Sequence, residues 1–174
     1  IAAEGRRRTV AMTNLFTDRQ SVAMQRSQAE SILCTGTDGG WLDDPTPTLM
    51  NTILHEASHN LGPIGAYQVD GKTAPQIFGP ALSLVLSELH AQTSALFFGE
   101  WLRNEGLIPA KLATDAQLRG LLFDFDHLAR GMTSEDGKPK PYSQLAAVQV
   151  AAFLRDGGLV WRAGDKAANG KDVG

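Results

Sequence analysis

Over most of this chain the apolar residues recur at the helical spacing of three and four, and strict strand-like alternation is rare. Residues 47–61 are the best punctuated segment: Thr46 stands at a capping position, Pro47 at the first helical position, and Gly62-Pro63 follow Leu61. Within that helix Met50, Ile53, Leu54, Ala57 and Leu61 form one apolar face, leaving Asn51, His55, Ser58 and His59 on another. A long helix is predicted from Ile77 to Asn104, stopped by Gly106 and Pro109. Thr114-x-x-Gln117 opens a further helix with the stripe Leu118, Leu121, Leu122, Phe125, Leu128 and Met132, and a last helix from Tyr142 to Arg155 ends at Gly157-Gly158.

The remaining segments are shorter. Thr9 to Met12 reads as a short strand, and Thr17-x-x-Gln20 as a capping box opening a weakly amphipathic helix toward Leu33. Residues 35–46 collect turn formers and make a loop anchored by Trp41 and Leu42, while residues 64–76 form a loop or short hairpin around Asp70-Gly71. Gly131 to Pro141 is a surface loop. The expectation is a mainly α fold: a single helical domain over residues 1–160 and a flexible tail over residues 161–174, rich in Gly, Lys, Asp and Ala.

Composition narrows the partners. With 174 residues, 43% of them hydrophobic, the chain is long enough for one real core, which excludes collagen, coiled coil and wholesale disorder. Sixteen Lys and Arg against 19 Asp and Glu leave a net charge of -3, so neither nucleic acid nor an anionic membrane is expected as partner; Arg6-Arg7-Arg8 is too short a run to change that. The longest apolar region, Ile77 to Phe98, contains Glu88, His90 and Gln92 and cannot cross a bilayer without burying a charge; it reads as a buried helix. The single Cys34 excludes an internal disulfide framework and a multi-cysteine zinc site, and leaves the compartment open. The start Ile1-Ala2-Ala3, without Met or a signal-peptide pattern, is that expected of a processed product or an excised piece.

The chemistry sits in the first helix described above. His55-Glu56-Ala57-Ser58-His59 is an H-E-x-x-H pattern in the helical context that the pattern requires. Two His four residues apart project from one face with Cβ atoms about 5–6 Å apart, so both imidazoles reach one ion, and Glu56 flanks that face within reach of a water. A catalytic zinc needs a third protein ligand and an open position. Glu88 is the candidate, because it interrupts an apolar run of Leu84, Val85, Leu86 and Leu89, where an unpaired carboxylate is costly to bury. The alternative is that Glu88 faces solvent or pairs with an Arg. Gln92, one turn on, shares its face and can hydrogen-bond a ligand imidazole.

The stretches His-Glu-Ala-Ser-His-Asn-Leu-Gly-Pro at 55–63 and Ser-Glu-Leu-His-Ala-Gln-Thr-Ser-Ala-Leu at 87–96 resemble the paired signatures of the dipeptidyl peptidase III family of zinc metallopeptidases. The likeness is closer to its Nudix-linked plant and bacterial relatives, whose first motif is also five residues long and followed by Gly-Pro. The resemblance runs more faintly through Gly120 to Gly158. It implies a helical, zincin-like metallopeptidase catalytic domain with two metal-bearing helices. One Zn2+ per chain would be bound by His55, His59 and Glu88, with Glu56 activating water and a peptide as substrate. The family is several times longer and has a second lobe, which implies a missing lobe or partner chain to complete the cleft. Two positions depart from the family pattern. Gln92 stands where a second acidic residue is usual, and Asp136 or Tyr142 where a His near the Gly-Lys loop is thought to steady the transition state.

The reading is therefore a zinc-dependent hydrolase acting on an amide, with Glu56 as general base. The alternatives are a non-catalytic or vestigial zinc-binding module, a fragment of a longer two-lobed peptidase, and a hydrolase of esters or lactams. Other polar residues rank lower. His90 lies roughly 200° around the helix from Glu88, and His127 lies off its apolar stripe and reads as a surface residue. Asp43-Asp44 and Asp124-x-Asp126 lack the spacing of a calcium loop and read as solvated carboxylates. Tyr67 and Tyr142 can each donate to an oxyanion or serve a structural partner.

Overall fold

A computed structural model describes residues 12–34, 44–61, 67–162 and 164–171. The expected strand at Thr9 to Met12 and the loop anchors Trp41 and Leu42 fall almost wholly outside these residues. The described part is mainly helical and, among the described residues, holds no strand beyond isolated bridges. Its elements are α1 (Asn14–Thr17), α2 (Arg19–Ile32), α3 (Thr46–Ser58), α4 (Ala74–Phe78), α5 (Pro80–Asn104), α6 (Ala110–Ala129) and α7 (Pro141–Asp156). The central helix is α5, which packs against α3, α4, α6 and α7.

Local chemistry moves several boundaries from their predicted places. Asp18, not Thr17, caps α2 by accepting from Ser21 N at 2.9 Å. Helix α3 begins at Thr46, whose N–H and hydroxyl are both held by Asp44 Oδ1 at 2.9 and 2.6 Å, and ends at Ser58 with His59 in the C-cap position. The predicted helix from Ile77 divides at Gly79-Pro80. There Gly79 takes φ 78°, a value open to glycine, and Thr73 and Gln76 form a capping box that starts α4. Asp70 (φ 51°) and Gly71 (φ 73°) make the tight turn between Val69 and Lys72. Helix α6 starts four residues before Thr114, directly after Pro109.

Three expectations about burial are overturned. On α3 the buried residues are Pro47, His55 and Ser58; of the supposed apolar face, Ile53, Ala57 and Leu61 are exposed while Met50 and Leu54 are half-buried, Leu54 reaching toward Gly99 of α5. Helix α5 is not buried all round: Val85, Ala91, Gln92, Ala95 and Gly99 face the interior while Leu82, Leu86, Phe97 and Trp101 are exposed. Over its described part the tail lies against the end of α2. Ala167 is fully buried, Ala168 N–H donates to Leu33 O and Asn169 N–H to Glu30 O, both at 2.9 Å, and Cys34 bridges Ala167. Backbone pairing to the end of α2 supplies the order that its composition does not.

The apolar stripe of α6 meets α2: Leu118 and Leu122 pack with Ala29, Ile32 and Leu33 in a cluster. The opposite side of α6 carries Gly120, which faces α3 and α5. A Cβ there would stand 3.3 Å from Leu96 Cδ2 and 3.6 Å from both Asn51 Nδ2 and Gln92 Nε2. Absence of a side chain thus lets three helices meet beside His55.

Candidate metal centre

The two helices that carry the motifs, α3 and α5, cross where their polar residues face inward. His55 and His59 stand one turn apart with ring centroids 4.9 Å apart, and His59 keeps the α3 register because its N–H still reaches His55 O at 3.3 Å. Glu88 projects from α5 between them: its Oε2 lies 3.2 Å from His55 Nε2 and 3.6 Å from His59 Nε2. The Glu88 side chain is only 13% exposed. Gln92, one turn along α5, places Oε1 2.9 Å from His55 Nδ1. An amide oxygen only accepts, so Nδ1 carries the hydrogen and Nε2 is turned toward Glu88.

The donor set is of a kind that can hold a metal ion. The three ligand atoms lie within 4.8 Å of one another. In a tetrahedral zinc site with bonds of about 2.0–2.1 Å, neighbouring ligand atoms are about 3.3–3.4 Å apart by geometry. The 3.2 and 3.6 Å separations around Glu88 bracket that value. Among the described residues no other group of three His, Cys, Asp or Glu meets this condition.

The electrostatics follow from burial and contact. For His55, burial works against the charged form, but the hydrogen bonds to Glu88 and Gln92 and the charges of Glu88 and Glu56 outweigh it and leave its pKa raised. Glu88 is held below the usual carboxylate range, chiefly by the His55 hydrogen bond and, against the opposing effect of burial, by His59 and the Tyr142 hydroxyl. Tyr142 is pushed up to about 12 by burial, the Glu88 charge and the hydrogen bond to Glu88, and by Glu56. Its hydroxyl therefore stays a donor at any physiological pH.

A cavity of about 130 Å³ opens beside this group, lined by Asn51, Thr52, His55, Glu56, Gln92, Phe123 and Tyr142. Glu56 is half-buried in its wall, one residue from His55. Each of the six residues singled out by motif or as a neighbour of the ligands (His55, Glu56, His59, Glu88, Gln92 and Tyr142) is thus placed in one site by the fold. Of the two positions weighed for the family His, Tyr142 lines the cavity, whereas Asp136 is an exposed partner of Ser134 and Lys138. Tyr67 is exposed away from the cavity, and His90 turns outward to Leu61 O at 3.1 Å.

Sequence reasoning missed the α6 contribution. His127 is half-buried, not fully exposed: its ring lies 4.3 Å from that of Phe123 and 5.3 Å from that of Tyr142, and burial lowers its pKa. Gly120, Phe123 and His127 recur at the helical spacing and form the face of α6 toward the site, a pattern hidden beneath the stronger leucine stripe. Asp124 is not solvated either; it is 1% exposed, and burial pushes its carboxyl up to about 7. No family model matches the chain, and neither a curated protein nor a solved structure matches it.

Proposed function

We propose that this chain is a zinc-dependent hydrolase of amide bonds, with a peptide as substrate. The observation that carries the reading is the convergence of His55, His59 and Glu88 from two helices, one ligand atom of each within 4.8 Å of the others, beside a cavity that Glu56 lines. A helical zincin-like catalytic domain is the class this supports, and the resemblance of the two motifs to dipeptidyl peptidase III signatures points the same way. His55, His59 and Glu88 would hold one Zn2+, whose chemistry is to acidify a water and polarise a carbonyl. Gln92 fixes the His55 tautomer, and the Tyr142 hydroxyl, close to Glu88, favours its charged form. Glu56 takes the proton of the attacking water and returns it to the departing amine, so that hydrolysis leaves the residue as it began.

A second reading, a zinc-binding module without catalysis, is favoured by the neutral Gln92 behind His55, where a carboxylate would make the ligand more basic. One experiment separates the two. Zinc is measured by elemental analysis in wild type, His59→Ala and Glu56→Gln, and each is assayed on a peptide panel with and without chelator. The hydrolase reading expects about one zinc in wild type and Glu56→Gln and little in His59→Ala, with chelator-sensitive cleavage lost on the order of a hundredfold or more in Glu56→Gln. Zinc without cleavage in wild type leaves the module, and no zinc in wild type removes both.

A further inference from the structure

Phe123 is a wall of two cavities. The first is the one beside the candidate metal centre; the second, of about 190 Å³, lies farther toward the N-terminus of α3 and is lined by Thr48, Met24, Leu122 and Phe123 among others. Thr48 and His55 are seven residues apart, which on a helix is the same face and a separation of about 10 Å. An extended peptide spans that distance in about three residues.

The chemistry of the second cavity selects its occupant. At its far end Gln28 Nε2 donates to Asp126 Oδ1 at 2.7 Å, tying α2 to α6, and Arg130 pairs with Asp126 Oδ2. Arg119 lines the same cavity, and its charge acts on Asp44. Arg130 and Asp126 are engaged by each other, so that beside Gln25 and Arg119 the surfaces left to be covered are those of Met24, Leu122 and Phe123. An apolar cavity of about 150 Å³ is known to take a benzene ring, so this one has room for an aromatic side chain.

We propose that this cavity is a substrate subsite for an apolar side chain about three residues from the scissile bond, with Phe123 dividing it from the reacting carbonyl. The proposal rests on the hydrolase reading, and its test keeps the two apart. Zinc-loaded protein is titrated calorimetrically with acetohydroxamate and with hydroxamates extended by three residues, in either chain direction, ending in Phe or in Ala. The expected result is that all bind, and that in one direction Phe improves affinity about tenfold over Ala. Met24→Glu, at a position 58% exposed and so tolerant of charge, is expected to abolish that advantage without changing acetohydroxamate binding. Equal binding of the Phe and Ala probes in both directions, or an advantage that survives Met24→Glu, overturns the subsite while leaving the metal reading intact. Failure of every hydroxamate to bind overturns the metal reading and the subsite with it.

Discussion

Gln92 shows how one side chain sets the character of the centre. Its oxygen accepts from His55 Nδ1, but its Nε2 is buried without a hydrogen-bond partner, beside the point where a Gly120 side chain would begin. An orphaned buried amide costs stability, so the metal-ready tautomer of His55 is held at some expense. A carboxylate at position 92 accepts the same hydrogen bond, removes the orphaned donor and makes the imidazole a stronger ligand. Gln92→Glu is expected to tighten zinc binding by about tenfold in a competition titration with a chromophoric chelator. An affinity equal to or weaker than wild type would show that repulsion from Glu88 outweighs the gain. The converse change, Glu88→Ala, removes a proposed ligand and is expected to weaken zinc by two orders of magnitude or more in the same titration. Unchanged affinity would remove Glu88 from the ligand set.

At the scale of elements, α3 is the informative case, because His55 and Ser58 are buried more deeply than the apolar residues Ile53, Ala57 and Leu61. The periodicity of residues 47–61 announced a helix correctly, and the H-E-x-x-H spacing put both imidazoles on one face. What periodicity could not say is which face turns inward. The rule that apolar faces are buried fails where a polar face meets a complementary polar face, and here Glu88 and Gln92 of α5 are that partner. The close approach behind it depends on α6. Gly120→Val would push against Leu96 and crowd Asn51 and Gln92, and is expected to cost about 1–3 kcal/mol of stability as an overpacked core position. Denaturant titration of the metal-free protein measures that cost. Zinc affinity should fall with it, since Gln92 is displaced from His55; a full loss of stability with zinc affinity intact would uncouple α6 from the site.

At the scale of the whole molecule, a buried carboxyl joins the three longest helices. Asp124 of α6 faces the Gln149 amide of α7, which also meets Thr93 of α5. With its oxygen on the Thr93 hydroxyl at 3.0 Å, the amide donates to both Asp124 oxygens at 3.2 and 3.3 Å; turned the other way, it requires Asp124 to carry the proton. Burial raises the folded carboxyl from 3.8 to about 7, so between those values the unfolded chain releases a proton that the folded chain keeps. Stability is therefore lost as pH rises from about 4 to about 7 and levels off above, by at most about 4 kcal/mol at 1.36 kcal/mol per pKa unit. Amide donation from Gln149 reduces that loss. Asp124→Asn is expected to flatten this part of the stability curve in urea titrations, and a slope equal to wild type would assign it to other groups. By itself the sequence determined the helical class, four of the long helices to within a few residues, and the residue types and spacing of a His-Glu-His centre, because those depend on neighbours three and four positions away. Only the tertiary structure decided that Glu88 meets both imidazoles, that Tyr142 lines the cavity with His127 against it, that Asp124 is buried, and that the tail pairs with α2. Each of these is a contact between residues far apart in the chain, set by how helix faces pack and by the backbone hydrogen bonds that buried segments must complete.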